Sequence, residues 1–219
     1  MTTVFIMAGG LGKRLRPLTE KTPKPMIPVN GKPMLEWLIK RFIDQGFRDF
    51  VISIGYLGEQ IEDYFGDGLR LGCHISYVWE SQPLGTAGSL RLLSPQCDPI
   101  IVINSDVLTS CNFNDLVRYH VNSGADATIG ASTHRIEIPF GVLEMRNYRL
   151  TNIAEKPAYD YPIAAGIYVF SPQSLEHLPF GKVDMPDFIE KIPDVSVFPI
   201  SGEWHDIGTH ESLANATVG

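Results

Sequence analysis

The sequence predicts an α/β fold in which a mostly parallel sheet is covered by helices on both faces. Three observations carry that expectation. Short, nearly continuous apolar runs alternate with stretches of helical spacing, as in repeated strand–helix units whose strands are buried on both sides. No repeat, low-complexity tract or flexible linker interrupts the 219 residues, so a single domain over 1–219 is expected. Glycine-rich or charged turns follow directly on several apolar runs, and sheets of this kind bind ligands at the carboxyl ends of their strands.

Taken in order, TVFIMA (2–7) reads as a buried strand that ends at Gly9 and Gly10. Leu35, Leu38, Ile39, Phe42 and Ile43 recur at helical spacing, and Gly46 stands where that helix would stop. DFVISI (49–54) is the second strand, and 60–65 a short helix. HISYVW (74–79) follows, then a helix over 86–93, then the strand PIIVIN (99–104), which ends just before Asp106. A helix over 114–122 stops near Gly124. Beyond it the chain turns β-rich, with strands at 126–132, 140–145, 149–154 and 164–170 and short helices at 172–177 and 185–192. A strand at 195–200 and a helix from Glu211 complete the pattern.

Composition narrows the function classes. At 44% apolar the chain can bury a full core, and its net charge of −7 argues against a basic face for nucleic acid or membrane. Any anionic ligand must then meet a local basic patch. No basic region followed by an apolar core opens the chain, so no secretory leader is expected. No apolar run approaches the ~20 residues that cross a bilayer. Cys73, Cys97 and Cys111 are odd in number and form no C-x-x-C pair, which argues against a disulfide framework or a zinc site and for a reducing, cytoplasmic compartment.

The local basic patch is MAGGLGKRLRPLTEKTPKPMIPVNGKP (7–33), which holds six of the 18 basic residues among glycines and prolines. Gly9, Gly10 and Gly12 permit positive φ and let backbone N–H groups approach an anion, with Lys13 and Arg14 beside them. The loop is neither a Walker A loop, since no Gly-Lys-Ser/Thr sits at the required spacing, nor a dinucleotide fingerprint, since Leu15 replaces the third glycine. Taken alone, such a cluster is equally a plain turn.

The longer pattern goes further. Gly-Gly-x-Gly-x-Arg-Leu-x-Pro-Leu-Thr at 9–19, Pro-Lys-Pro-Met at 23–26 and Val-x-Gly-Lys-Pro at 29–33 resemble the signature of the sugar-nucleotide pyrophosphorylases, the sugar-1-phosphate nucleotidylyltransferases. The resemblance continues through ESQPLGTAGSL (80–90), NSD (104–106), FGVLEM (140–145), AEKP (154–157), AAGIYVF (164–170) and WHDIGTHESL (204–213). It is nearest to the short guanylyltransferases that act on mannose, heptose or N-acetylglucosamine phosphates. It implies a Rossmann-like three-layer α/β/α domain of the nucleotidyltransferase and glycosyltransferase-A kind. It also implies Mg²⁺-dependent transfer of a nucleoside monophosphate from a nucleoside triphosphate to a sugar 1-phosphate, with release of pyrophosphate.

That chemistry needs no general base, because the attacking phosphate oxygen is already anionic, and the sequence carries no Ser-His-Asp or Cys-His pattern. It needs alignment of two anions and neutralisation of charge at the α-phosphorus. By the resemblance, the nucleotide lies against Ala8, Gly9, Gly10, Gly12 and Lys13; Arg14 holds the leaving phosphates and Lys24 the α-phosphate. Asp106 and Asp206 would hold Mg²⁺, which takes few carboxylates and completes its shell with phosphates and water. Lys156 would bind the sugar phosphate, Glu155 and the backbone at Gly141 the sugar hydroxyls, and Gly166 would let the sugar approach the backbone.

Each of these has a plainer reading: Lys24 as a loop lysine, the aspartates as turn residues or caps, Glu155 and Lys156 as a surface pair. His205 reads as incidental, and Trp37, Trp79 and Trp204 as core or site walls.

Glu80 bears on the base. A glutamine amide matches thymine or uracil, whereas a carboxylate only accepts and suits the paired N1–H and N2–H of guanine. Glu80, in Glu-x-x-Pro-Leu-Gly-Thr-Ala-Gly, therefore favours GTP, with Gly85 and Thr86 packing near base and ribose; a helix-capping role is the plainer reading of Thr86. Ser105 and Ala164 depart from the family pattern, and Ala164 puts recognition of one sugar hydroxyl in doubt. UTP, dTTP or CTP use, phosphocholine cytidylyl transfer and a non-catalytic regulatory domain stay open as alternatives. Against the last, Arg14, Lys24, Asp106, Lys156 and Asp206 are all present. The chain stops soon after its last motif, so a single activity is expected; the oligomeric state, a homo-oligomer included, is left open.

Overall fold

The computed structural model describes residues 2–94 and 98–216, so Cys97 lies outside the described residues. The first half runs β1 (Val4–Met7), β2 (Pro28–Val29), β3 (Lys32–Pro33), α1 (Met34–Asp44), β4 (Asp49–Ile54), α2 (Gly58–Phe65), β5 (His74–Trp79) and α3 (Gly85–Gly88). It continues with β6 (Ile100–Asn104), β7 (Val107–Thr109) and α4 (Phe113–Ser123). The second half holds β8 (Ala127–Glu137), β9 (Val142–Arg146), β10 (Arg149–Ala154), β11 (Ala158–Phe170), α5 (Met185–Ile189), β12 (Val195–Pro199), β13 (Trp204–Asp206) and α6 (His210–Ala214).

Seven strands form one sheet in the order β12–β8–β11–β6–β1–β4–β5. The pairs β6–β1, β1–β4, β4–β5 and β12–β8 are parallel, and β11 is antiparallel to both neighbours. Strand alternation sends Val4, Ile6, Ile101 and Ile103 to one face, where they meet Leu35, Leu38 and Phe42 of α1, Ile61 and Phe65 of α2 and Phe113 and Leu116 of α4. Phe5, Ile100 and Val102 point to the other face and pack on Ala87, Met185 and Phe188 of the α3–α5 side. Each such side chain taken from water contributes about 1.5–3 kcal/mol. The α/β class and the three layers are those the sequence predicts.

Helix ends follow local chemistry. Asn112 caps α4 by accepting a hydrogen bond from Asp115 N–H, and Gly124 ends it at φ +68°. Over the expected 86–93 helix, only Gly85–Gly88 is α-helical, and a 3₁₀ turn over Ser89–Leu92 continues it. β8 and β11 run longer than expected because they pair with each other beyond the sheet, where an antiparallel partner satisfies the backbone and no burial marks the sequence. With the β9–β10 hairpin, this ribbon forms an arm over 134–161.

Candidate active site

The four parallel strands end in step: Met7 pairs with Ser53 and Asn104, and Ile54 with Trp79. The next residues of each strand, Ala8, Gly55, Glu80 and Ser105, line a cleft of about 710 Å³, a volume in the range of small-molecule sites. The run 7–14 lines it too, with Lys24, Gly85, Thr86 and Asp106. The nucleotide set expected from the sequence is therefore gathered in one place.

Two glycines of that set have steric reasons to be glycine. Gly12 sits at φ +60°, and a Cβ on it would lie 2.8 Å from the Thr19 methyl and 3.1 Å from Lys24 Cβ. Thr19, buried beneath, donates its hydroxyl to the Gly12 carbonyl at 2.8 Å, which ties the glycine loop to the turn over Leu18–Glu20. Gly85 adopts φ +82°, and a Cβ there would overlap the Val183 carbonyl oxygen. Thr86 does not cap its own helix. It donates its N–H to Asp184 Oδ1 (3.1 Å) and accepts from Met185 N–H (2.7 Å), so its hydroxyl serves the start of α5.

Glu80 is fixed from two sides. Its Oε1 accepts from the Ser53 hydroxyl (2.5 Å) and its Oε2 from Leu84 N–H (3.2 Å), with the carboxylate lying against Gly9.

The charged groups converge on a small apolar cluster formed by Leu15, Ile27, Val29, Met34, Leu108 and Ile207. Arg14 precedes Leu15, Lys24 lies three residues before Ile27, Asp106 two before Leu108, and Asp206 directly before Ile207. Lys24 Nζ is ion-paired with Asp106 Oδ2, and both side chains are mostly buried. The β7–β13 ribbon pairs Asp206 with Val107, and Ile207 N–H donates to the Asp106 carbonyl at 2.9 Å. Burial, and after it the neighbouring Asp106 charge, push the Asp206 carboxyl above its usual range, while Lys24 and Arg14 pull it back. Arg14 and Asp206 flank Gly208: a Cβ there would be 3.0 Å from Arg14 Nη2 and 3.1 Å from Asp206 Oδ1. Two adjacent oxygen donors, partly desolvated and compensated by two cations, are a donor set that fits Mg²⁺.

Strand alternation turns His205 away from Asp206, toward a separate cavity of about 220 Å³ that Trp37 and Arg41 also line. Trp204 Nε1 donates to the Ala165 carbonyl (2.8 Å) and Trp37 Nε1 to that of Val29 (2.8 Å), so both act as struts.

The residues expected at the sugar phosphate lie apart from this cleft's lining. Gly141 and Glu155 meet each other, with the Glu155 carboxylate 3.2 Å from where a Gly141 Cβ would be. Lys156 follows at φ +44°. Gly166, at φ +68°, leaves its side-chain space to the Asn104 amide, 2.5 Å from a Cβ placed there. Asn104 itself lines the cleft, as do Tyr56, Gln82 and Lys182, to none of which the sequence assigns a role. Asn104 lies inside the NSD motif and could have been found there; a lone lysine in FGKVD gives no such signal.

The sequence pattern of the family described as nucleotidyl transferase matches residues 3–219. The mannose-1-phosphate guanylyltransferase catalytic subunit beta of Drosophila melanogaster is 34% identical over 223 residues, covering 94% of this chain and 59% of that protein. The UTP–glucose-1-phosphate uridylyltransferase of Synechocystis sp. is 32% identical over 230 residues, covering 93% and 59%. The chain thus spans 59% of the length of both curated relatives. Among solved structures, HddC from Yersinia pseudotuberculosis complexed with GMP-PN superimposes with a TM-score of 0.78 at 26% identity, covering 99% of this chain and 98% of that one.

Proposed function

The chain belongs to the nucleotidyl transferase family, and from that premise we propose that it transfers a guanylyl group from GTP to a sugar 1-phosphate, releasing pyrophosphate. The observation that carries this reading is the gathering of Arg14, Lys24 and Asp106 in one cleft, with Asp206 beside Asp106.

A phosphate oxygen of the sugar 1-phosphate attacks the α-phosphorus as the bond to the β-phosphate oxygen breaks. The oxygen is already charged, so the protein's task is to align two anions and offset their repulsion. Lys24 is suited to the α-phosphate because its ammonium is held at Asp106 before substrate arrives. Arg14, on the 3₁₀ turn that leaves the glycine loop, is suited to the departing pyrophosphate. Asp106 and Asp206 would hold a Mg²⁺, which supplies further positive charge to the phosphates. Lys156, where the β9–β10 hairpin joins the β8–β11 ribbon, would bind the phosphate of the sugar 1-phosphate, and Glu155 its sugar hydroxyls.

Glu80 is the basis for naming guanine. Its two oxygens keep lone pairs for N1–H and N2–H after accepting from Ser53 and Leu84. The Drosophila relative named a guanylyltransferase and the HddC structure with GMP-PN are in keeping with this. The uridylyltransferase relative, at similar identity, supports UTP as the second reading. The test is pyrophosphate release in Mg²⁺ with four nucleoside triphosphates crossed against mannose, heptose, glucose and N-acetylglucosamine 1-phosphates. Release with GTP is expected; release only with a pyrimidine nucleotide would keep the enzyme and overturn the base.

A further inference from the structure

A loop over 178–184, leading into α5, is fastened on both flanks and turns one charged side chain to the cleft. On one flank Arg91 donates to the carbonyls of Leu178 (2.7 Å) and Pro179, and its guanidinium lies over the Phe180 ring at 4.3 Å. On the other, Val183 N–H donates to the Leu84 carbonyl (2.8 Å), and the Val183 carbonyl accepts from Ala87 N–H (3.0 Å) and Gly88 N–H (3.2 Å). The Val183 side chain is buried in the same apolar cluster as Ala87. Lys182 stands between these anchors. It is exposed, lines the cleft and makes no ion pair among the described residues.

We infer that Lys182 reads the base together with Glu80, its ammonium donating to the exocyclic oxygen (O6 of guanine), an inference that rests on reading the cleft as a guanine nucleotide site. Position and chemistry support it. Leu84 donates its N–H to Glu80 Oε2 and accepts at its carbonyl from Val183, so a single residue of main chain links the carboxylate to the lysine loop. Arg14, Lys24 and Asp106 stand on a different support, the apolar cluster around Ile207. An ammonium offers three donors and no acceptor. On guanine, O6 lies beside N1–H, so a carboxylate and an ammonium side by side match N2–H, N1–H and O6 in turn. Adenine carries an amino donor in place of that oxygen and an acceptor at N1, and would oppose both residues. Uracil keeps one oxygen beside one N–H and lacks the second donor. Glu80 thus separates guanine from uracil, and Lys182 separates oxo bases from amino bases. Anchors on both flanks limit the arc the lysine sweeps, which lowers the cost of fixing it on one atom.

Isothermal titration calorimetry of the full chain with GTP, inosine triphosphate and ATP, with no sugar phosphate present, tests this by binding alone. Inosine triphosphate keeps O6 and N1–H and lacks the 2-amino group. Lys182→Met is expected to weaken GTP and inosine triphosphate about 10-fold each, the low end for a hydrogen bond to a charged group, and to leave ATP unchanged or tighter. Lys182→Arg, which also suits O6, should hold GTP within about threefold of the wild type. Lys182 is exposed, so both variants should keep the wild-type circular dichroism and melting midpoint. An equal loss for all three nucleotides would make Lys182 a phosphate contact and overturn the inference while the guanine reading stands. An unchanged ratio of GTP to ATP affinity would overturn it as well. A wild type that prefers UTP would overturn the guanine reading instead; a roughly 10-fold fall in UTP affinity against CTP in Lys182→Met would then support Lys182 as the reader of the base oxygen. A wild type that binds no nucleotide would overturn both.

Discussion

The Glu80 carboxylate occupies the space that a side chain on Gly9 would need: a Cβ there would stand 2.5 Å from Oε1. A glycine of the glycine-rich loop and an acid 71 positions later are thus fitted to each other, and the hydroxyl of Ser53 fixes the fit from below. Glu80→Gln should weaken guanine recognition and relax it toward pyrimidines. It exchanges one acceptor for a donor where both Glu80 oxygens now accept, a change worth about 1.5–3 kcal/mol or roughly 10- to 150-fold in relative kcat/KM. Measuring kcat/KM for GTP and UTP with one sugar phosphate checks it; an unchanged ratio would remove Glu80 from base selection. Gly9→Ala should act in the same direction by pushing the carboxylate out of place.

Removing one member of the Lys24–Asp106 pair should separate chemistry from folding. Lys24→Met is expected to lower kcat by 10²- to 10³-fold, on the scale of losing one charge-stabilising donor, with a smaller effect on the KM for nucleotide. Asp106→Asn is expected to keep the fold and lose Mg²⁺-dependent turnover, since a neutral amide is a poor ligand for a hard cation. Steady-state kinetics beside circular dichroism distinguish the two, and a folded, fully active Asp106→Asn protein would refute the metal assignment.

Much of this architecture was legible in the sequence. VFIM, DFVISI and IIVIN read as strands because burial on both faces leaves an unbroken apolar run. The cleft followed, because glycines and charges sit at the carboxyl ends of those runs. What escaped depends on contacts between distant segments. Ser53 is one hydroxyl in an apolar strand, and nothing local says that it holds Glu80. β7 and β13 are three residues each, too short for any periodicity, yet they bring Asp106 beside Asp206 across 100 positions. Without the motif resemblance, Asp206 would have read as a turn residue. Thr86 illustrates the same limit: its place before a helix suggests a cap, but its hydroxyl serves the helix that follows 99 residues later.

The small cluster under the charges yields a third prediction. Ile207 is fully buried beside Leu15 and Leu108. Ile207→Ala should cost about 2–5 kcal/mol and, well below its melting point, should still lower kcat, because Arg14, Asp106 and Asp206 are all mounted on that cluster. Ile61→Ala, an equally buried position on α2, should cost similar stability and leave kcat unchanged at the same temperature. If both variants lose kcat in proportion to stability alone, the cluster has no separate role in aiming the charges.

Stability should also depend on pH through His120, away from the cleft. The ring is buried, with Nδ1 at 2.8 Å from the Thr128 hydroxyl and Nε2 at 3.1 Å from that of Ser171. Burial lowers its pKa below the usual 6.5, and the Asp126 charge offsets only part of that. The folded chain therefore resists a proton that the unfolded chain accepts near pH 6.5. Stability from keeping the ring neutral is present above that pH and is lost as pH falls below it, toward the folded value. Thermal melts of the wild type should show a midpoint that drops between pH 7.5 and 5.5. His120→Gln keeps a donor and an acceptor but cannot titrate, so its midpoint should start lower and change less over the same interval. Equal slopes for the two proteins would assign the acid sensitivity to other groups.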